Sequence, residues 1–201
     1  MTKDQATLVA GYSAKDSYGW LDCDDTYQLP AEWLEAMPVP EKESTRILAS
    51  FDQEGHGRLG EFMLPLFFDP SYGTLSMPER ALIGVVVSSI NACVTCVIIH
   101  THKLGQYIGD HGRARRLAVN YRTVTLSTQE RAIADYCVKL TETPGKMEQA
   151  DMQTLRDAGL SEGRIHNVIE LAAAFNMSNR MTSGYGMRPD DDFMEKIAPE
   201  E

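Results

Sequence analysis

Cysteine is scarce in this chain, and basic residues never gather into a stripe. Four cysteines among 201 residues, Cys23, Cys93, Cys96 and Cys137, are too few and too unevenly spaced for the disulfide framework of a secreted scaffold. That scarcity points to a reducing, cytoplasmic setting, where a close cysteine pair is functional more often than structural. Lysine and arginine number 19 against 29 aspartates and glutamates, a formal net charge of −10. Such a field repels phosphate backbones and anionic lipid heads. The densest basic group, Arg113, Arg115 and Arg116, reads as the solvated face of one helix, so nucleic acid is not an expected partner. The opening residues MTKDQATLVAGYSAKD lack an apolar stretch and carry acids early, so no signal peptide is expected.

Long hydrophobic runs are also missing, with one stretch to weigh. Ala81 to Ile99 is nineteen residues without a charge, near the length that spans a bilayer. Ser88, Ser89, Asn91, Thr95 and two cysteines crowd its middle, and each polar group would need a partner inside lipid. A turn at Ile90–Ala92 between two buried helices accommodates them, so no membrane span is expected. Strand signals are confined to Val85-Val86-Val87, and no repeat or low-complexity tract occurs.

What is present reads as helix. Apolar residues make up 43% and charged residues 24%, the balance of a folded chain with one sizeable core. Residues 1–40, with Tyr12, Tyr18, Trp20, Trp33, Pro30, Pro38 and Pro40, read as an N-terminal arm with a short helix near Ala31–Met37. Residues 41–201 read as a single helical redox domain whose core, 76–107, holds the Cys-x-x-Cys pair. A helical pattern over 41–53 is expected to end at Gly55 and Gly57, and a short apolar segment follows over 59–68. Ser76-Met77-Pro78-Glu79 and Ser127-Thr128-Gln129-Glu130 are capping boxes, in which the N-cap hydroxyl and the later carboxylate satisfy free amides at a helix start. Helices are therefore predicted over 76–89, 92–107, 113–120, 127–142, 148–158 and 161–181, with Gly159 as a C-terminal stop. The tail after Gly186 is rich in proline, aspartate and glutamate. The fold class is all-α, a helical bundle.

The chemistry lies in Cys93-Val94-Thr95-Cys96, followed by His100. Positions i, i+3 and i+7 share one helix face, so both sulfurs and the imidazole align. A helix N-terminus, a second cysteine and a protonated histidine each favour the thiolate, the nucleophilic form. A sulfenic acid on one sulfur would condense with the other to a disulfide. A metal site using Cys93, Cys96 and His100 is an alternative, although a closed structural zinc needs four ligands and no second Cys-x-x-Cys exists. A plain packing pair is another. His102 falls on a different face of the helix, and His56, His111 and His166 show no partner spacing. Cys137 lies on an apolar face, and Cys23 sits among Asp22, Asp24 and Asp25, which disfavour its thiolate. Asn176, Asn179 and Arg180 read as residues of helix packing or of an oligomer contact.

The segments Leu75-Ser76-Met77-Pro78-Glu79-Arg80, Val85-Val86-Val87-Ser88, Asn91-Ala92-Cys93-Val94-Thr95-Cys96 and His100 resemble the "peroxidase-related" branch of the alkylhydroperoxidase D-like proteins. These belong to the carboxymuconolactone decarboxylase superfamily. Lys139-Leu140-Thr141, Pro144-Gly145, 155–161 and 174–180 are similar to the family's second half, and the resemblance spans roughly 51–193. It implies an all-α fold, a homo-oligomer, and antioxidant reduction of organic hydroperoxides by electrons from an external thiol or disulfide reductant. It further implies Cys96 as the attacking sulfur, Cys93 as the resolving one and His100 in a proton relay, with neither metal nor organic cofactor. Relatives carry a relay glutamate twelve residues before the first cysteine; here that residue is Ala81. Glu79 is the nearest carboxylate that could substitute, although its capping box already engages it. Losing a general base commonly costs about 10²–10⁴-fold, so inefficient peroxidase turnover is expected. General thiol–disulfide exchange, or redox sensing by a non-enzymatic helical oligomer, needs less of the relay. Lactone decarboxylation is disfavoured, because the members doing that chemistry lack the cysteine pair.

Overall fold

The computed structural model describes residues 18–21, 26–31 and 42–197. Cys23 and most of the short helix expected over 31–37 lie outside the described residues. Among those described, all regular structure is helical: α1 (Lys42–Phe51), α2 (Gln53–Phe68), α3 (Met77–Ile90), α4 (Val94–Ile108), α5 (His111–Asn120), α6 (Thr128–Glu142), α7 (Gln149–Asp157), α8 (Glu162–Gly184) and α9 (Asp191–Ile197). Single 3-10 turns at Tyr121–Thr123 and Pro144–Lys146 connect α5 to α6 and α6 to α7.

The uncharged run explains the architecture. Every residue from Ala81 to Ser88 is buried, so α3 is apolar all round and must be central rather than amphipathic. It packs most extensively on α4, then on α6 and α8. The three valines that imitate a strand are the middle of this helix, where tertiary burial outweighs their β preference. Among the described residues no helix is long and apolar enough to cross a membrane.

Both capping boxes form. Ser76 donates through its amide and its hydroxyl to the Glu79 carboxylate at 2.9 and 2.8 Å. The Ser127 amide donates to Glu130 at 2.8 Å while the Glu130 amide donates back to the Ser127 hydroxyl at 3.2 Å. A third box, Glu148 with Asp151, opens α7.

One expectation is corrected. Gly55 and Gly57 do not stop a helix; they lie in the first turns of α2, which runs on to Phe68. Asp52 is its N-cap and accepts from the Gly55 amide at 2.9 Å. A Cβ at Gly55 would fall 2.1 Å from the Asp52 carboxylate, so this glycine makes room for the cap rather than breaking the helix. The tail, to which the sequence pattern assigns no element, is also structured. It carries α9, whose Phe193 packs with Ile99 in a small second cluster.

Arg80 ties α2 to α3 from inside the core. Its buried guanidinium donates to the carbonyls of Leu75 at 3.0 Å, Pro65 at 3.4 Å, Leu66 at 3.3 Å and Asp69 at 2.8 Å. The fork of donors thereby links the end of α2 to the residue before the N-cap of α3.

Candidate active site

The turn after α3 sets the cysteine geometry. Asn91 ends the helix, and Ala92 reverses the chain with φ 53°, a left-handed conformation that costs an alanine about 1 kcal/mol. The Cys93 amide then donates to the Ser88 carbonyl at 3.1 Å, and Cys93 becomes the N-cap of α4. A network of side-chain amides behind the turn holds it. Asn91 donates to both Asn176 and Asn179 at 3.0 Å, and Asn179 donates to the Ser88 hydroxyl at 3.1 Å. Arg180 donates to the Asn176 side chain at 2.7 Å. These three α8 residues do have packing tasks, and their target is the turn that aims Cys93.

Cys93 and Cys96 therefore occupy the N-cap and first turn of α4, with Cα atoms 5.4 Å apart and sulfurs in disulfide contact. Both are buried. The amides of that first turn direct partial positive charge at the pair, which favours an anionic sulfur. Cys96, one helical turn from His100, joins it in the wall of a cavity of about 510 Å³. The cavity lies between α1, α2, α4 and α8, and its lining is chiefly apolar, with Met63, Phe67, Phe68, Ile99, Met181 and Met187 prominent.

His100 is enclosed by aromatic rings. Phe68 stacks on it at 6.3 Å between centroids, and Phe175 and Phe67 meet it edge-on at 4.7 and 6.1 Å. Gly84 lies beneath, where a Cβ would sit 3.1 Å from the imidazole and 2.7 Å from Phe175. Burial, helped by the nearby Lys103 charge, pushes the imidazole down to about 4. It is neutral at pH 7, so the expected help from a protonated histidine is absent. The positive field at the sulfurs comes instead from the helix end.

Other residues singled out in the sequence lie elsewhere. Both carboxylate oxygens of Glu79 are engaged, one by Ser76 and the other by Arg164 of α8, and Glu79 does not line the cavity. Ala81 is buried in the core of α3. His102 faces His111 at 5.3 Å and Phe193 at 5.7 Å. His166 lies 3.9 Å from the Glu170 carboxylate. Cys137 is wholly buried and its thiol is pushed up to about 12 by that burial. Among the described residues no group of three or more His, Cys, Asp and Glu side chains converges to hold a metal ion. One residue escaped the sequence reading: His56, in α2, lines the same cavity as Cys96 and His100. Only the packing of α2 against α1, α4 and α8 brings it there, and linear spacing carries no trace of that.

The same architecture occurs in solved structures. An uncharacterized peroxidase-related protein from Silicibacter sp. TM1040 shares 27% identity with a TM-score of 0.78, over 90% of this chain and 96% of that one. A peroxidase-related protein from Ralstonia eutropha JMP134, described as an alkylhydroperoxidase AhpD core, shares 26% identity with a TM-score of 0.71, over 84% and 87%. The debrominase Bmp8 has the same fold at a TM-score of 0.67, with 11% identity over 88% of this chain and 100% of that one. No protein-family profile and no curated protein matches the chain.

Proposed function

Starting from a chain whose structural neighbours are peroxidase-related, alkylhydroperoxidase D-like proteins, we propose that it reduces organic hydroperoxides with the Cys93–Cys96 pair. The observation that carries this reading is the place of Cys96: first turn of a helix, three residues from a second cysteine, in the wall of a large apolar cavity. Such a cavity suits a bulky organic peroxide, because apolar surface on both sides leaves water together.

In this reading the Cys96 thiolate attacks the terminal peroxide oxygen. The O–O bond breaks, an S–O bond forms, and the substrate leaves as an alkoxide that takes a proton to become the alcohol. Cys93 then attacks the sulfenic sulfur, and the hydroxyl departs as water with the Cys93 proton. His100, beside Cys96 on the helix, passes the thiol proton on to solvent at the start and is neutral again when the O–O bond breaks. An external disulfide reductant, a dithiol or two monothiols, restores both thiols by exchange and is itself oxidised to a disulfide. Glu79 has no part in this scheme, since its carboxylate serves the start of α3 and Arg164. Assembly into a homo-oligomer belongs to the proposal, and the exposed rings of Phe51 and Phe62 offer apolar surface for it.

The test is a single-turnover reaction of reduced protein with cumene hydroperoxide, following peroxide and thiols together, beside Cys96→Ser. One peroxide consumed and two thiols lost per subunit, with neither in the variant, is the expected result. A second reading, thiol–disulfide exchange or redox sensing, is favoured by the alanine at position 81. It replaces the first if the thiols survive peroxide yet a small disulfide oxidises them.

A further inference from the structure

Hydroperoxide cleavage at Cys96 sheds an alkoxide, a strongly basic leaving group that has to collect a proton as it departs. The α3 helix brings no acid for this purpose. Position 81 is a buried alanine, and the Glu79 carboxylate is held by Ser76 and Arg164. On α4, His100 is neutral and walled in by Phe67, Phe68 and Phe175.

Helix α2, whose Phe67 and Phe68 pack on His100, also carries His56 into the cavity lining. Burial lowers the His56 imidazole from its ordinary value, and the negative charge of Asp52, the N-cap four residues earlier, opposes that shift. The same burial makes the His56 imidazolium the more acidic, so the protonated fraction gives up its proton readily. The cavity lining thus holds Cys96, His100 and a second imidazole.

We propose that His56 is the general acid of this site, giving its proton to the alkoxide oxygen as the O–O bond breaks. This rests on the hydroperoxidase reading above. The balance is closed: Cys96 loses two electrons and gains the hydroxyl, the peroxide gains those electrons and leaves as the alcohol, and His56 regains its proton from water. Glu61, further along α2 at the exposed side of the same cavity, is the rival donor.

The leaving group discriminates between chemistry and architecture. Reduced wild type, His56→Gln and Glu61→Gln are mixed in a stopped-flow instrument with cumene hydroperoxide and, separately, with peroxybenzoic acid of similar bulk. Benzoate departs as a stable anion and needs no proton. The expected result for His56→Gln is a loss of about 10²-fold with cumene hydroperoxide and less than about threefold with the peroxyacid. Equal losses with both oxidants overturn the proposal, because His56 then merely shapes the cavity; no loss with either overturns it too. A leaving-group-dependent loss in Glu61→Gln alone moves the role to Glu61. If wild-type Cys96 is oxidised by the peroxyacid or a small disulfide but not by cumene hydroperoxide, the hydroperoxidase reading itself fails and the proposal falls with it.

Discussion

Thr95, the residue enclosed with Val94 between the two cysteines, donates its hydroxyl to the Met187 carbonyl at 2.7 Å. The bond joins the first turn of α4 to the segment following α8, whose Tyr185 carbonyl in turn accepts from the Trp20 amide at 2.8 Å. Met187 also lines the cavity, so one hydroxyl couples the cysteine loop to the cavity wall. Thr95→Val keeps shape and removes the donor. It should cost about 1–2 kcal/mol in urea unfolding, since a part-buried carbonyl loses its partner, and should raise the KM for cumene hydroperoxide.

The two sulfurs should fail differently. Cys93→Ser retains the attacking group without its resolver, so a first equivalent of hydroperoxide should leave a sulfenic acid on Cys96 that dimedone captures. Excess peroxide should carry it on to the sulfinic acid, read by intact mass. Dimedone labelling at Cys23 or Cys137, with Cys96 unmodified, would contradict the assignment of roles.

His100 should leave a signature in stability against pH. Its folded value, about 4, lies below the unfolded value near 6.5. Between those limits the unfolded chain binds a proton that the folded chain refuses. Stability is therefore complete above pH 6.5 and is lost as pH falls toward 4, by about 3 kcal/mol in all. Asp69, Asp151 and Asp191, whose carboxyls are also held low by hydrogen bonds, add losses at more acid pH in any variant. Urea midpoints at pH 7 and 4.5 for wild type and His100→Gln isolate the histidine: the variant should show a markedly flatter fall.

Gly84 should resist enlargement. A methyl there meets Phe175 at 2.7 Å and His100 at 3.1 Å, both enclosed in the core. Alanine gains about 1 kcal/mol of helix propensity, yet overpacking typically costs about 1–3 kcal/mol. Gly84→Ala should therefore be destabilising on balance, and it should slow peroxide reduction by displacing the imidazole. A rise in Tm with unchanged turnover would show that the site relaxes freely.

The parts of the molecule legible in the sequence are those governed by local chemistry. The boxes at Ser76 and Ser127 form because their partners are three residues apart, and the turn at Ile90–Ala92 falls where the polar residues interrupt the uncharged run. Cys96 and His100 fall one turn apart on α4, as its period requires, whereas Cys93 stands just outside it as the N-cap. Cys96 and His100 do share a cavity wall. What escaped depends on distant partners. Gly55 reads as a stop until Asp52 is seen to need its space. The charge state of His100 is decided by Phe67, Phe68 and Phe175, which come from other helices and bear no spacing relation to it. His56 joins the site through the packing of α2 alone, and α9 forms where Phe193 finds Ile99.

Cys137 lies at the centre of α6 with no solvent exposure and a thiol pushed up to about 12. In the intact fold an alkylating reagent can neither reach it nor find its anion. Once α6 parts from α3, the same sulfur becomes an ordinary thiol. Its rate of capture then equals the reagent's intrinsic rate multiplied by the fraction of time the core stands open. The chain thus carries a built-in gauge of its own breathing, separate from the redox pair, and a mass shift at one residue reads it.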